Sequence, residues 1–140
     1  MAGRQKILLF MNEIFERLRR DIQNRLDEAT RIQRNLGEPN NHLLRFYIGK
    51  TSDIESARRR HGQEGYTSTV CLYESQDSEL ISSLEGQLIS HFMEESDNPD
   101  SPLNGKCGNE RGGSAGNPNS DKLYLSMEVR PLRIEDLEIN

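Results

Sequence analysis

The apolar residues near the start of the chain recur every three or four positions, which is the pattern of one face of an α-helix. They are Met11, Phe15, Leu18, Ile22, Leu26, Ala29, Ile32 and Leu36. No proline or glycine interrupts residues 6–35, and Gly37 and Pro39 follow as a typical C-terminal stop. We therefore predict one long helix. It either packs on its own domain or another copy, or lies with its arginine-rich surface along nucleic acid.

The rest of the chain alternates between strand and helix patterns. Residues 42–48 alternate apolar and polar side chains, which predicts a strand that Gly49 ends. Ser52 or Asp53 can cap a short helix that runs to about Arg60 or His61. The pattern then predicts a strand over 67–73, a helix that begins within 75–78 and runs to about 95, a long loop over 96–121 and a strand over 123–129.

This order of elements predicts an α/β (α+β) fold: a small three-stranded sheet, mixed or antiparallel, flanked by helices and preceded by a long helix. We divide the chain into a basic amphipathic helix over residues 1–37, a domain over 42–130, and an acidic C-terminal tail over 131–140.

The distribution of charge separates the two halves of the chain. The net charge of -5 argues against nonspecific nucleic-acid binding by the chain as a whole. Residues 1–70, however, carry 13 Lys and Arg against 9 Asp and Glu, whereas residues 71–140 carry 5 against 14. The basic half could therefore face an anionic partner while the acidic half faces water.

The expected compartment is intracellular, in the cytoplasm or the nucleus. The two cysteines, Cys71 and Cys107, are too few for a disulfide scaffold and lack metal-ligand spacing. No run of about 18 apolar residues predicts a membrane span, and the apolar stretch over 7–11 is too short for the core of a signal peptide.

One carboxylate falls on an apolar helix face. Glu85 lies four residues after Ile81 and three before Leu88, so it shares their side of the predicted helix. A carboxylate at the edge of a core is costly unless a partner or a metal uses it. Glu85 is therefore either a ligand for Mg²⁺ or a similar hard cation, or a flanking residue whose head reaches solvent.

Three consecutive arginines, Arg58, Arg59 and Arg60, point in three directions on the short helix, so at least one should face the sheet near Tyr47. A guanidinium fixed there could bind a phosphate and stabilise its developing charge. The alternative is a solvated basic face, with His61 at the surface and Tyr47 as an ordinary strand aromatic.

The strand end and the arginine helix together are similar to the second motif of the GIY-YIG nuclease family. The matching residues are Tyr47-Ile48-Gly49-Lys50-Thr51, with the helix ending at His61. The family then has a strand, a helix with one glutamate, and a loop whose asparagine often precedes paired glycines. This chain supplies residues 67–73, Glu85, and Asn104 followed by Gly112-Gly113 in that order, so the resemblance covers residues 43–116.

The resemblance implies a DNA endonuclease that uses one divalent metal, Mg²⁺ or Mn²⁺. By resemblance, Glu85 would hold the metal, Tyr47 would position the water or phosphate, and Arg58 would contact the scissile phosphate. Asn104, or alternatively Asn109, would fix the active-site loop. We also expect contacts with DNA from Lys50, Arg59, Arg60, His61, Lys106 and Arg111.

The chain departs from the family pattern at two points. The family's first tyrosine should lie on a strand shortly before Tyr47, and this chain has no such strand there. Tyr124 on the last strand is the substitute that we expect, with Tyr73 as a second candidate. In many members an arginine follows the motif tyrosine by about ten residues, which here is Ala57; Arg58 is turned from that position by about 100°.

Three functions follow as hypotheses. The first is a metal-dependent endonuclease of the GIY-YIG type. The second is a catalytically degenerate relative that binds nucleic acid or a protein partner. The third is a module that self-associates through the helix over residues 6–36, which would make the protein a homodimer.

Overall fold

A computed structural model of the protein describes residues 2–30, 41–109 and 119–131. Its elements are α1 (Ala2–Thr30), β1 (Asn41–Thr51), α2 (Ile54–Gln63), β2 (Ser68–Glu74), α3 (Ser78–Asp97) and β3 (Lys122–Pro131). The fold is α+β, with a three-stranded antiparallel sheet and a long N-terminal helix, as the sequence predicts. Residues 31–35 of the predicted helix, Arg111, Gly112-Gly113 and the tail over 132–140 lie outside the described residues.

The last of the described strands, β3, lies in the middle of the sheet. The strand order is β1-β3-β2, and β3 pairs antiparallel with both neighbours. In this register Tyr124 lies between Gly49 on one side and Cys71 on the other. The prediction that Gly49 ends the first strand is wrong, because β1 continues to Thr51, which pairs with Lys122.

The hydrophobic core lies on one face of the sheet, beneath α1 and α3. The apolar stripe of α1 joins this core through Ile14, Leu18, Ile22 and Leu26, none of which is more than 5% exposed. The helix therefore packs on its own sheet, and burial of its stripe is the main force that holds it there. No helix among the described residues is long and apolar enough to cross a membrane.

The short helix α2 covers the opposite face of the sheet. Asp53 caps it, as one of the two predicted residues, since its Oδ1 accepts hydrogen bonds from the backbone N–H groups of Glu55 and Ser56 at 3.1 and 3.3 Å. Ala57 and His61 are four residues apart and both are buried, at 1% and 3% exposure. These two side chains therefore face the sheet, on the side that carries Tyr124.

Candidate active site

Tyr124 is the centre of a polar cluster on the face of the sheet that α2 covers. Its ring is almost fully buried, and its Oη atom lies 2.7 Å from Nε2 of His61. A guanidinium N–H of Arg60 reaches the same Oη atom at 3.4 Å. One phenolic oxygen thus has an imidazole and a cation as its neighbours, an arrangement that can hold or transfer a proton.

The ring of Tyr47 completes this cluster from the adjacent strand. It stacks against the Tyr124 ring with a centroid separation of 6.2 Å and lies 4.6 Å from the His61 ring. Tyr66, which follows α2, packs edge-on against both Tyr47 and His61, at 6.4 and 5.3 Å. The two tyrosines that the sequence proposed as a pair therefore lie side by side, although 77 residues separate them in the chain.

Glu85 is buried on α3, at 4% exposure, as its spacing predicts. Burial is the main cause that raises the pKa of Tyr124, and the charge of Glu85 contributes in the same direction as the smallest of the causes. One turn earlier on the helix, Ser82 accepts a hydrogen bond from Nζ of Lys50 at 2.8 Å. That contact fastens the start of α3 to the end of β1.

Burial shifts the pKa values of Tyr124 and His61 so that both groups favour their neutral forms. Desolvation raises the pKa of Tyr124 well above its usual value, and the neighbouring Tyr47 raises it further, against the hydrogen bond from Arg60. Desolvation also lowers the pKa of His61, against the nearby Glu64 carboxylate, which raises it. At neutral pH His61 is therefore a neutral imidazole beside a protonated phenol.

The Nδ1 atom of His61 lies 3.3 Å from a carboxylate oxygen of Glu64. The two atoms do not meet hydrogen-bonding geometry, so we treat this contact as electrostatic. It favours the tautomer with the proton on Nδ1, which leaves Nε2 free to accept a proton from Tyr124.

The three arginines of α2 differ in what they contact. Arg58 pairs with Glu55 on its own helix and donates to the backbone carbonyl of Thr69 at 3.1 Å. It therefore ties α2 to β2 instead of approaching Tyr124. Arg59 is exposed to solvent, and Arg60 is the arginine that contacts Tyr124.

The loop after α3 closes over the outer edge of β1. The backbone N–H of Phe46 donates to the carbonyl of Lys106 at 2.9 Å, and Gly108 N–H donates to the carbonyl of Phe46 at 2.7 Å. Lys106 itself is half-buried, and desolvation lowers the pKa of its ammonium. This loop holds β1 from the side that β3 leaves open.

Asn109 is the asparagine that fastens this loop to the site strand. Its buried amide accepts from the N–H of Ile48 at 2.9 Å and donates to the carbonyl of the same residue at 2.7 Å, in the manner of a paired strand. Asn104 instead is exposed and donates to the carbonyl of Ser96 at 2.9 Å, at the end of α3. Of the two candidate asparagines, Asn109 thus contacts the site strand directly.

Two residues that pack beside the cluster, Tyr66 and Arg45, were not predicted from the sequence. Tyr66 is buried against His61 and Tyr47, and the guanidinium carbon of Arg45 lies 4.1 Å above the centre of the Tyr66 ring. The alternation along β1 that places Tyr47 also places Arg45 on the same face, which is the signal that could have identified it. Tyr66 lies in a turn and had no such signal.

Tyr73, the second candidate for the missing tyrosine, instead packs against the hydrophobic core.

Within the described ranges, no group of three or more His, Cys, Asp or Glu side chains could hold a metal ion. No protein-family model, curated protein or solved structure matches the chain. Any functional assignment therefore rests on the residues of the site and their geometry.

Proposed function

We propose that this protein is a divalent-metal-dependent DNA endonuclease of the GIY-YIG type that hydrolyses a phosphodiester bond. The observation that carries the proposal is the contact between Tyr124 and His61, with the ring of Tyr47 stacked beside them. In the proposal, Tyr124 on the neighbouring strand β3 takes the role of the tyrosine that the sequence lacks before Tyr47. An intracellular location is part of the proposal, since DNA is the substrate and both cysteines are free thiols.

In the proposed reaction a water molecule attacks the phosphorus atom of the scissile phosphate. The water gives its proton to Oη of Tyr124 while Tyr124 passes its own proton to Nε2 of His61. A bond forms between the water oxygen and phosphorus, the bond from phosphorus to the leaving alkoxide breaks, and the alkoxide takes a proton from solvent. Neutral His61 is suited to this role because burial keeps its pKa low.

Arg60 is the arginine that we propose for the phosphate. Its contact with Tyr124 puts a positive charge next to the oxygen that would meet the attacking water, where negative charge develops during phosphoryl transfer. Arg58 is bound to Thr69 and Glu55, so we assign it to holding α2. Arg59, Lys50 and Lys106 remain candidates for contacts with the DNA backbone.

Glu85 fits the metal that this proposal requires. Mg²⁺ is commonly held by one or two protein carboxylates and keeps several waters, so a single buried carboxylate is a sufficient protein anchor. Glu85 is a buried carboxylate on α3, at the position that the resemblance gives to the metal ligand. Bound there, Mg²⁺ or Mn²⁺ would neutralise charge on the phosphate oxygens.

The proposal is tested by incubating the purified full chain with supercoiled and linear DNA in Mg²⁺, in Mn²⁺ and in EDTA. We expect nicking or cleavage that needs the ion and that Glu85→Ala and Glu85→Gln abolish. Glu79→Ala is the matched control, because Glu79 is an exposed carboxylate in the first turn of the same helix. Absence of cleavage of every DNA form with either ion would exclude the endonuclease.

One observation favours the alternative, a catalytically degenerate module that binds nucleic acid or a protein partner. Ala57 occupies the position at which the family often has its arginine, and it is packed against the sheet at 1% exposure. Such a module would bind DNA without turnover, and its affinity would not depend on Glu85. Strictly metal-dependent cleavage would rule this alternative out.

A further inference from the structure

Two arginines on the sheet donate hydrogen bonds to the turn that follows α2. Arg45 on β1 donates to the backbone carbonyl of Glu64, and Arg130 on β3 donates to the carbonyl of Gly65 at 3.1 Å. The carboxylate of Glu128 accepts from Nε of both arginines, at 2.8 Å from Arg45 and 2.6 Å from Arg130. We call Arg45, Glu128 and Arg130 the arginine clasp.

The turn that the clasp holds is directly bonded to His61. The N–H groups of Glu64 and Tyr66 both donate to the backbone carbonyl of His61, each at 3.0 Å. The Tyr66 ring packs edge-on against the His61 ring at 5.3 Å, and the Arg45 guanidinium covers the Tyr66 ring at 4.1 Å. A shift of this turn therefore moves both the backbone and the ring contact of His61.

We propose that Arg45 is a positioning residue for the pair formed by Tyr124 and His61. It acts through Tyr66 and the Glu64 carbonyl, and no hydrogen bond joins it to Tyr124 among the described residues. The role of Arg45 in catalysis depends on the proposed function. Arg130 shares the same carboxylate and grips the same turn, but the Tyr66 ring is covered by Arg45 alone among the described cations.

Arg45 also contributes to the electrostatic surroundings of His61. Burial is the main cause that lowers the pKa of His61, Glu64 raises it, and the positive charges of Arg60 and, to a smaller extent, Arg45 lower it. The groups that face His61 are Arg60 on α2, Glu64 and Tyr66 in the turn, Arg45 and Tyr47 on β1, and Tyr124 on β3. Loss of the Arg45 charge, together with wider solvent access, should therefore raise the pKa of His61.

The experiment compares Arg45→Gln with Arg130→Gln, which removes an equal charge from the same carboxylate. The pKa of His61 is measured by NMR titration of its ring signals without DNA, and cleavage is measured across pH. We expect Arg45→Gln to raise the pKa of His61, to move the acid limb of the cleavage profile to higher pH, and to slow cleavage about tenfold or more. Arg130→Gln removes a contact to the same turn but leaves the Arg45 guanidinium over the Tyr66 ring, so it should change the pKa and the profile less than Arg45→Gln does.

A folded Arg45→Gln protein with the wild-type pKa of His61 would overturn the proposal, and so would equal effects of the two variants. The NMR measurement does not need catalysis, so it decides the positioning role even if the wild type cleaves no DNA. If Arg45→Gln does not fold, Arg45→Lys replaces it. Lysine keeps the charge but cannot bond Glu128 and the Glu64 carbonyl with one planar fork, so we expect it to disturb the His61 ring signals, and unchanged signals would refute the role.

Discussion

Gly49 and Tyr124 lie directly opposite each other on β1 and β3, and the ring of Tyr124 fills the space that a side chain on Gly49 would need. A Cβ atom on Gly49 would lie 2.4 Å from both the Cζ and the Oη atoms of Tyr124. That same Oη atom contacts His61. A glycine is therefore required at position 49, because any side chain there would keep the Tyr124 ring from reaching the imidazole of His61.

Gly49→Ala should displace the Tyr124 ring and break its contact with His61. Overpacking at a filled buried position typically costs about 1–3 kcal/mol of folding stability. We expect a loss of that size in urea denaturation, together with loss of DNA cleavage.

The same substitution at Gly86 is the control, since a Cβ there meets nothing within 4 Å in an exposed part of α3. Alanine at Gly86 should stabilise the helix by about 0.5–1 kcal/mol. Equal behaviour of the two variants would contradict the role of Gly49.

Most elements could be predicted from the sequence because each has a local signal. The three-to-four-residue spacing of α1 and α3, the Asp53 cap and the alternation along the strands all act over a few residues. The burial of Glu85 follows from the same periodicity. The extension of β1 past Gly49 had no local signal, because it depends on pairing with β3, which lies far along the chain.

The sequence named several residues of the candidate site, but their contacts depend on the fold. The resemblance implies a second tyrosine beside Tyr47, and it left Tyr124 and Tyr73, both on predicted strands, as the candidates. The resemblance pointed to Arg58 for the phosphate, whereas Arg60 is the arginine that contacts Tyr124. That difference depends on where a flexible side chain finds a partner across the fold. The choice between Asn104 and Asn109 depends likewise on how the loop folds back onto β1.

Arg60→Ala should slow DNA cleavage by about tenfold to a hundredfold, because it removes the positive charge next to Tyr124 where charge develops on the phosphate. Arg58→Ala is the comparison, because it removes the same charge two residues earlier on α2, from a side chain that does not contact Tyr124. It should change the rate little and lower stability by about 0.5–1 kcal/mol through its lost surface contacts. Single-turnover cleavage assays on both variants check this, and a larger rate loss for Arg58→Ala would refute the assignment.

Asn109→Ala should lower the free energy of unfolding by about 1–3 kcal/mol, because it leaves the N–H and the carbonyl of Ile48 without their amide partner. Asn104→Ala should cost less, since the Ser96 carbonyl that it contacts also accepts from the N–H of Gly105 at 2.8 Å. Chemical denaturation of the two variants measures the difference. Equal costs would show that the Asn109 amide does not hold the loop on β1.

Self-association through α1 remains a prediction, and Phe10 is the residue to test. Its side chain is 56% exposed on the helix. Deletion of α1 would unfold the protein, because four of its residues belong to the core. Phe10→Glu leaves that core intact and should reduce the mass measured by light scattering if the wild type is a homodimer. Leu44→Glu, at the other exposed large apolar position described, should not.

The stability of the protein should depend on pH through His61. Burial lowers the pKa of His61 in the folded state below its usual 6.5, so the unfolded chain binds the proton more tightly. Stability should therefore be complete above about pH 6.5 and should fall as the pH drops through the lowered pKa of the folded protein. DNA cleavage should be lost over the lower part of the same range, because protonated His61 cannot accept a proton from Tyr124.

Denaturation of the wild type and of His61→Gln at several pH values between about 7.5 and 5 checks this dependence. Glutamine can still bond Tyr124 but does not titrate, so the loss of stability on acidification should largely disappear in the variant. Glu128 does not obscure the comparison. Hydrogen bonds from Arg130 and Arg45 lower the pKa of that carboxyl below 4.5, so the stability it contributes is lost only at lower pH. An equal loss of stability in both proteins over this range would mean that His61 is not the group that titrates.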